Sequence, residues 1–423
     1  MKSAEQKAKK VPTIRFAGFE DEWVEKKLGD VANSFGYGLN AAAKPYDGIN
    51  KYLRITDIDD LSREFKKDDL TTPDFDLVKA SDYRLDEGDL LFARTGASVG
   101  KTFIYKKNDG LVYFAGFLIR TKIKSEYDSK FIFQNTLTNS YDKFVKITSQ
   151  RSGQPGINAQ EYADYSLLMP KLNEQQKIGS FFSNIDSLIS LEQKKYDKLT
   201  QVKKSMLEKM FPKEGATVPE IRFAGFSGVW VWKELDDIIV RIATGLNPRD
   251  NFKLNSGGSN YYVTIKNFEH GHLYLDEKCD RIDDCALQLI QARSDLQKDD
   301  LLFSSIGRIG DCYLIKNNPQ NWNINESVFT LRPNKAIAAS NYLFHVVHCD
   351  IVLSQILDSV TGSTFKSIKI GDLKKALIPI PCKEEQIQIA NYLDNLDSLI
   401  SLQQRKLDKL KNIKKSLLEK MFV

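Results

Sequence analysis

The residues that first suggest chemistry lie in a glycine-rich stretch at 96–102, which reads GASVGKT. It resembles a phosphate-binding loop, but that motif needs four residues between its glycines and this stretch has three. The corresponding stretch at 306–312 has lost the lysine, and no strand–helix–strand pattern surrounds either copy. A tight glycine-rich turn is therefore the better interpretation.

No other pattern indicates catalysis. All four histidines and all five cysteines lie in the second half of the chain, which excludes a Ser-His-Asp site shared by both halves. His270, His272, Cys279 and Cys285 are conceivable zinc ligands, but they lack C-x-x-C spacing, and free, reduced thiols are favoured. We expect no metal and no cofactor on this chain.

Basic and amide side chains instead collect on loops. Arginine and lysine pair with guanine, asparagine and glutamine pair with adenine, and serine, threonine and backbone amides hold phosphates. In the first half the candidates for double-stranded DNA are Asn40, Arg54, Arg94, Thr95, Lys101, Gln150, Arg151, Ser152, Gln154 and Asn158. In the second half they are Asn247, Lys266, Ser305, Arg308, Thr361, Ser363, Thr364 and Lys366. Solvated loops of ordinary composition are the alternative.

Length and composition set the frame for these loops. A chain of 423 residues with 42% hydrophobic and 28% charged residues is large enough for two or three domains. The net charge of +5 is compatible with a nucleic-acid partner without demanding one. No apolar run approaches the roughly 20 residues that span a bilayer, so a cytoplasmic location without a membrane partner is the default.

The chain contains an internal duplication of one unit. The segment VPTIRFAGFEDEW at 11–23 reappears as VPEIRFAGFSGVW at 218–230, and Gly38-Leu39-Asn40 recurs at 245–247. Short strand-like runs broken by Gly, Asn and Asp predict strand-rich α+β domains. Inside them the clearest helical patterns are 130–146 and 341–357.

Two long helices, at 176–211 and 388–422, carry matching apolar seams, which include Ile178, Phe182 and Leu393. The seams have polar interruptions at Glu192 and Lys203, and at Gln403 and Lys414. They predict an intramolecular coiled coil of about 54 Å. A second apolar row is wider than a two-helix seam requires. We interpret this row as a docking surface for partner helices, although packing on the chain's own domains is the alternative. Its residues are Phe181, Leu188, Val202, Tyr392, Leu399 and Ile413.

These patterns divide the chain into six segments. We predict a disordered basic tail at 1–10, a first globular domain at 11–172, a central long helix at 173–211, a linker at 212–217, a second globular domain at 218–382 and a distal long helix at 383–423.

Two diverged units, each followed by a helix ending in LEKMF, with repeated IRFAGF and Glu-Gln segments at 174–175 and 385–386, closely resemble the specificity subunit of type I restriction-modification systems. The resemblance covers nearly the whole chain and is most specific in the helices and their leaders. It implies two target recognition domains held apart by two long helices, which are arranged antiparallel with a pseudo-twofold axis relating the repeats. It also implies adenine-methylating modification subunits and DNA-translocating restriction subunits as partners. S-adenosylmethionine, ATP and magnesium would then be bound by those partner subunits.

The favoured function is thus a non-catalytic DNA-reading subunit that recognises a split, asymmetric target. Two alternatives remain: a coiled-coil scaffold whose globular units bind proteins, and an enzyme that uses the glycine-rich stretch. Salt-dependent DNA affinity would distinguish the DNA-reading subunit from the protein-binding scaffold. A rise in the melting temperature when nucleotide is added would test the enzyme.

Overall fold

The computed structural model describes residues 10–269, 271–362 and 366–423. They form two compact units. The first unit runs to Lys195 and takes in Gln404–Val423, and the second comprises Tyr196–Gln403. Each long helix therefore contributes one part to each unit.

The first unit is strand-rich, and its core lies between a sheet and several short helices. Its strands are β1 (Val24–Lys27), β2 (Ala32–Tyr37), β3 (Ala42–Pro45), β4 (Lys51–Leu53), β5 (Thr71–Asp74), β6 (Leu90–Ala93), β7 (Thr102–Ile104), β8 (Val112–Phe114), β9 (Leu118–Ile123) and β10 (Ser166–Met169). Its helices are α1 (Leu28–Val31), α2 (Ser129–Asn135), α3 (Asn139–Thr148), α4 (Ala159–Ala163) and the first part of α5 (Leu172–Lys209).

The second unit has the same plan with additions. Its strands are β11 (Val231–Glu234), β12 (Ile239–Thr244), β13 (Asn260–Val263), β14 (Phe268–Glu269), β15 (His272–Leu273), β16 (Asp280–Ile282), β17 (Leu301–Ser304), β18 (Cys312–Leu314), β19 (Trp322–Ile324), β20 (Val328–Pro333) and β21 (Leu377–Ile380). Its helices are α6 (Leu235–Ile238), α7 (Asp284–Ser294), α8 (Ser340–Val346), α9 (Asp350–Asp358), α10 (Ile370–Leu373) and the first part of α11 (Lys383–Met421).

The two units share a sheet framework. A four-stranded antiparallel sheet in the order β2-β9-β6-β7 corresponds to β12-β20-β17-β18 in the second unit. The antiparallel pair β1-β10 corresponds to β11-β21, and the parallel pair β4-β8 to β13-β19. The units differ in what they add, which is β3-β5 in the first and β14, β15, β16 and α7 in the second. The predicted α+β duplication is confirmed.

The repeated leader is held by a buried ion pair. Arg15 donates from Nε and Nη2 to the carboxylate of Glu174 at 2.7 and 2.8 Å, and Arg222 does the same to Glu385 at 2.7 and 2.8 Å. Both glutamates are fully buried, at 1% and 0% exposure. The arginine of IRFAGF and the glutamate of the Glu-Gln segment are therefore one interaction, present once in each unit.

The terminal Phe of each LEKMF sequence completes the same cores. In the first unit the Phe422 ring stacks on Phe131 at 5.1 Å and meets Trp23 edge-on at 6.3 Å. In the second unit the Phe211 ring lies 6.2 Å from Trp230, again edge-on. The end of one long helix thus packs beside the leader and the start of the other helix, which explains why these three segments are the most similar parts of the repeat.

The long helices pack together antiparallel, as predicted. In the first unit Asp186 accepts from Lys414 at 2.6 Å and Glu192 accepts from Lys406 at 2.9 Å. In the second unit Lys203 contacts Asp397 at 2.5 Å. The polar interruptions of the seam at Glu192, Lys203 and Lys414 are thus interhelical ion pairs, which favour one register of the two helices. The helices begin at Leu172 and Lys383, earlier than the seam indicates.

Half of the second apolar row is packed against the chain itself, which corrects part of the docking prediction. Phe16 of the first leader meets Phe181 at 5.5 Å, and Phe223 of the second leader meets Tyr392 at 5.9 Å. Val202 packs on the core of the second unit. The side chains of Phe181, Tyr392 and Val202 thus pack against other residues of their own units. Those that stay exposed are Leu188, Leu399 and Ile413, together with Leu191 and Leu402.

The two predicted internal helices are each broken. Residues 130–146 divide between α2 and α3, where the Thr138 hydroxyl accepts from the amide of Tyr141 at 3.4 Å and starts the second helix. Residues 341–357 divide between α8 and α9, where Cys349 precedes the second helix without a side-chain capping hydrogen bond. In α2 the buried residues run consecutively from Phe131 to Asn135, so a helical repeat in the sequence does not mark where one helix ends and the next begins. No helix in the described part of the chain is long and apolar enough to cross a membrane.

Replacing Glu174 by alanine should destabilise the first unit by about 3 kcal/mol, because it leaves the Arg15 guanidinium without its buried partner. Urea unfolding of the full chain measures this change. The matched control is Glu25→Ala, which removes an exposed ion pair with Lys10 and should cost little. Equal effects of the two substitutions would show that the buried pair does not hold the leader.

Candidate nucleic-acid interface

Three loops of the first unit meet at one place. The loop at 94–101 bridges to the loop at 150–158 through Thr95 and Gly156, and the amide of Ile157 donates to the carbonyl of Arg94 at 2.9 Å. The ammonium of Lys101 donates to the carbonyl of Ile58 at 3.4 Å, which brings in the loop at 54–60. Predicted site residues that lie far apart in the sequence are thus brought together.

The glycine-rich stretch is a turn used by the protein itself. The amide of Gly96 donates to Pro155 at 2.9 Å and the amide of Gly100 donates to Ala93 at 3.0 Å. Lys101 forms an ion pair with Asp60 at 2.6 Å, and this hydrogen bond holds the pKa of the Asp60 carboxyl below its usual range. The backbone amides and the lysine that would cradle a phosphate are engaged within the chain, which favours the tight-turn interpretation.

Two predicted arginines are held by carboxylates. Arg54 donates to Asp57 at 2.8 and 2.9 Å, and this hydrogen bond raises the pKa of the guanidinium. Arg151 is paired with Glu161 and also donates to the carbonyls of Thr148 and Gln150 at 2.9 Å. These arginines shape their loops, and their positive charge is partly neutralised.

The amide and hydroxyl candidates divide between exposed and structural positions. Asn40, Gln150, Ser152 and Gln154 are exposed. Asn158 begins α4, where its side chain accepts from the amide of Glu161 at 2.9 Å, so one of its polar groups serves the helix.

Arg94 has a different environment, which includes two aromatic residues that were not predicted. Its guanidinium lies over the Tyr37 ring, 5.0 Å from the centroid, and its amide donates to the carbonyl of Phe117 at 3.0 Å. Tyr37 and Phe117 are 45% and 57% exposed. Tyr37 directly precedes the repeated Gly-Leu-Asn, and that adjacency was the signal available in the sequence.

The repeated Gly-Leu-Asn has a structural cause. A Cβ at Gly38 would lie 2.2 Å from the carbonyl oxygen of Ala115, and one at Gly245 would lie 1.7 Å from that of Ile324. The hydroxyls of Tyr52 and Tyr262 donate to the carbonyls of Leu39 and Leu246 at 2.7 and 2.5 Å. The motif thus fixes the strand end that presents Asn40 in one unit and Asn247 in the other.

Equivalent loops meet in the second unit. Ile306 bridges to Ser367, and Ser367 also bridges to Thr361. Arg308 donates to the carbonyls of Ile265 and Phe268 at 3.0 and 2.9 Å, which brings in the loop that carries Lys266. Lys266, Thr361 and Lys366 are exposed beside these junctions.

Two of the second unit's predicted residues are engaged within the fold. Ser305 is 4% exposed and its hydroxyl donates to the carbonyl of Ser327 at 2.8 Å, so we remove it from the interface. Arg308 is paired with Asp311 at 2.6 Å and lies 3.7 Å from Glu269. Ser363 and Thr364 lie outside the described residues, as does His270. Within the described ranges, no cluster of three or more His, Cys, Asp or Glu side chains is placed to hold a metal ion.

Comparison with known proteins identifies the class to which this architecture belongs. Residues 20–201 and 229–412 match the family of the type I restriction modification DNA specificity domain. The two matches cover most of the chain, and the chain belongs to this family. It carries two such domains, one for each half of the internal repeat.

Individual relatives are similar to this chain over nearly its full length. The chain is 23% identical to the type I restriction enzyme MjaVIII specificity subunit of Methanocaldococcus jannaschii, over 94% of this chain and 91% of the relative. The crystal structure of a type I restriction-modification S subunit from M. genitalium has the same fold, with a TM-score of 0.60 and 14% identity over 98% of this chain and 99% of that one. A chain from a structural study of type I R-M assembly and conformational transition matches with a TM-score of 0.50 and 17% identity, over 94% and 97%.

The family membership confirms the prediction of a specificity subunit rather than an enzyme. DNA and the other subunits of a type I restriction-modification system are its partners, and catalysis belongs to those other subunits.

Substituting Gly96 by alanine should destabilise the loop junction of the first unit by about 1–2 kcal/mol. Gly96 has φ +68°, and an added Cβ would lie 2.7 Å from the side-chain nitrogen of Gln154. Gly153→Ala is the matched control, because a Cβ there meets nothing within 4 Å. Urea unfolding and DNA affinity of the assembled complex should both change for Gly96→Ala alone. A neutral Gly96→Ala would contradict the tight junction.

Proposed function

We propose that each unit of this chain reads one half of a split, asymmetric duplex DNA target. The observation that carries the proposal is the meeting of the same three loops in both units, built on the same sheet framework but with different side chains. At the bridge between the loops the first unit has Thr95 and Gly156, and the second has Ile306 and Ser367. Different side chains on equivalent loops give different half-sites, so the target is asymmetric.

We propose further that the paired helices set the spacing between the half-sites and bind the modification subunits. The exposed leucines support this, because Leu188 and Leu191 of α5 recur as Leu399 and Leu402 of α11. Leu188 and Leu399 are each 49% exposed. Exposed apolar side chains repeated on both helices are suited to two copies of one helical partner.

The chemistry then lies on the partners. Modification subunits bind S-adenosylmethionine and methylate adenine, and restriction subunits use ATP and magnesium to translocate and cut DNA. The present chain supplies the sequence choice alone. Because the DNA that it would recognise is chromosomal or invading DNA, we propose that it acts in the cytoplasm of a prokaryotic cell.

Exchanging residues 24–169 for the equivalent segment of another specificity subunit should change one half of the methylated target and leave the other half intact. The exchange keeps the leader and the Arg15–Glu174 pair, so the base of the unit is preserved. Single-molecule sequencing of DNA methylated by the exchanged complex gives both halves at once. The matched control exchanges residues 231–380 and should alter the other half.

A change in both halves after either exchange would contradict independent reading. The salt dependence of DNA binding gives a second test. Phosphate contacts make log affinity fall linearly with log salt, whereas a protein-binding scaffold has no such dependence.

The double substitution Leu188→Glu and Leu399→Glu should abolish co-purification with the modification subunit, because it places charge on an apolar contact surface. Val78→Glu is the matched control, since Val78 is 86% exposed in the first unit and lies between β5 and β6, outside both long helices. Size-exclusion chromatography of the co-expressed subunits reports the result. Unchanged assembly of the double variant would remove these leucines from the proposed surface.

A further inference from the structure

Arg94 is set apart from the other arginines of the predicted DNA-binding loops. Arg54, Arg151 and Arg308 are each paired with a carboxylate, from Asp57, Glu161 and Asp311 respectively. Within the ranges that the structure describes, the guanidinium of Arg94 has no carboxylate partner and lies on the Tyr37 ring. Its hydrogen-bond donors therefore remain available for a ligand.

The backbone of Arg94 is held from both sides. Its amide donates to Phe117 at 3.0 Å, and its carbonyl accepts from Ile157 at 2.9 Å. The Tyr37 hydroxyl in turn accepts from the amide of Ala159 at 3.2 Å, so the ring beneath the guanidinium is also fixed. A planar guanidinium held over a fixed aromatic ring loses little further entropy when it binds a planar acceptor pair.

The surroundings of Arg94 fit a base edge. The Tyr37 ring lies under the Arg94 guanidinium and is about half exposed, while Gln154 lies against Gly96 two residues away. An exposed aromatic ring beside an unpaired arginine and an amide offers both apolar contact and hydrogen bonds. Guanine presents two acceptors, N7 and O6, that match a guanidinium in the major groove.

Resting on the proposed function, we propose that Arg94 is a specificity-determining residue that reads a guanine in the half-site of the first unit. The two N–H donors of one guanidinium edge bond to N7 and O6 of that base, and Tyr37 holds the guanidinium in place. The carboxylate-paired arginines position the loops around it.

The second unit lacks this reader at the equivalent position. Ser305 has the same backbone bonds as Arg94, because its amide donates to Ser327 at 3.1 Å and its carbonyl accepts from Ile368 at 3.0 Å. Its hydroxyl is buried and bonded to the main chain. The same backbone position thus carries a base-reading side chain in one unit and a structural side chain in the other. This difference is a specific source of target asymmetry.

The test compares the unmodified chain with Arg94→Ala and Arg94→Gln, each assembled with the modification subunit. Methylated sites are mapped by single-molecule sequencing, and affinities are measured for duplexes with each base at the assigned position. Arg94→Ala should lower affinity for the guanine duplex by roughly 5- to 100-fold and relax the motif at that position alone. Arg94→Gln should shift the preference toward adenine, because an amide pairs with adenine N6 and N7.

The matched control is Lys26→Ala. Lys26 is a cation over the Tyr127 ring, 5.9 Å from its centroid, on a strand of the same unit rather than on the three loops. Its removal should leave the motif unchanged. Thermal unfolding of each variant separates loss of reading from loss of folding, and Arg94→Gln keeps a polar side chain if the alanine variant is unstable.

Two results would overturn the inference. One is an unrelaxed motif in both Arg94 variants. The other is an equal loss of affinity for all duplexes with a shallower salt slope, which identifies a phosphate contact. Either leaves the proposed function intact as long as the unmodified chain directs a split motif. Absence of any motif with the unmodified chain would instead defeat the proposed function itself.

Discussion

The buried arginine–glutamate pair is the interaction on which each unit depends. Arg15 with Glu174, and Arg222 with Glu385, join the leader of a unit to the first turn of the long helix that follows it. A glutamate with so little exposure is tolerated only because the guanidinium satisfies both of its oxygens. Loss of the arginine or the glutamate would leave a charge without a partner in the core.

This pair explains why the two halves of the chain are most similar in the leader and the start of the long helix. The Glu-Gln segments also use their amides, since Gln175 donates to Pro170 at 2.8 Å and Gln386 donates to Pro381 at 3.0 Å. The leader, the start of the long helix and the terminal Phe pack on one another, so a substitution in one of them must remain compatible with the other two. The loops that meet around Thr95 and Ile306 lie outside these three segments, and there the two halves differ.

The sequence predicted the framework well because its signals are periodic or repeated. The seam residues Ile178, Phe182 and Leu393 are buried as their spacing indicates. The helix break at Thr138 and the covering of Phe181 by Phe16 were missed, because both depend on contacts that a one-dimensional pattern does not contain. Because the leader covers Phe181, less apolar surface on the long helix remains exposed for partners.

The proposed DNA-binding loops stay a prediction, but the structure shows which of their side chains are already engaged within the chain. The composition of 94–101 and 148–158 indicated DNA contact, yet which arginine stays unpaired is decided by carboxylates at positions 57 and 161 and by the tyrosine at 37. Those neighbours are set by tertiary pairing of loops. The same applies to Ser305, whose polar type suggested phosphate binding and whose burial excludes it.

The most direct test of the account is methylation mapping in a methylation-free host that expresses the modification subunit with and without this chain. The account predicts a split, asymmetric, adenine-containing motif that is methylated only when the chain is present. The same methylation pattern in both strains, or none in either, would contradict its role as the subunit that selects the DNA sequence.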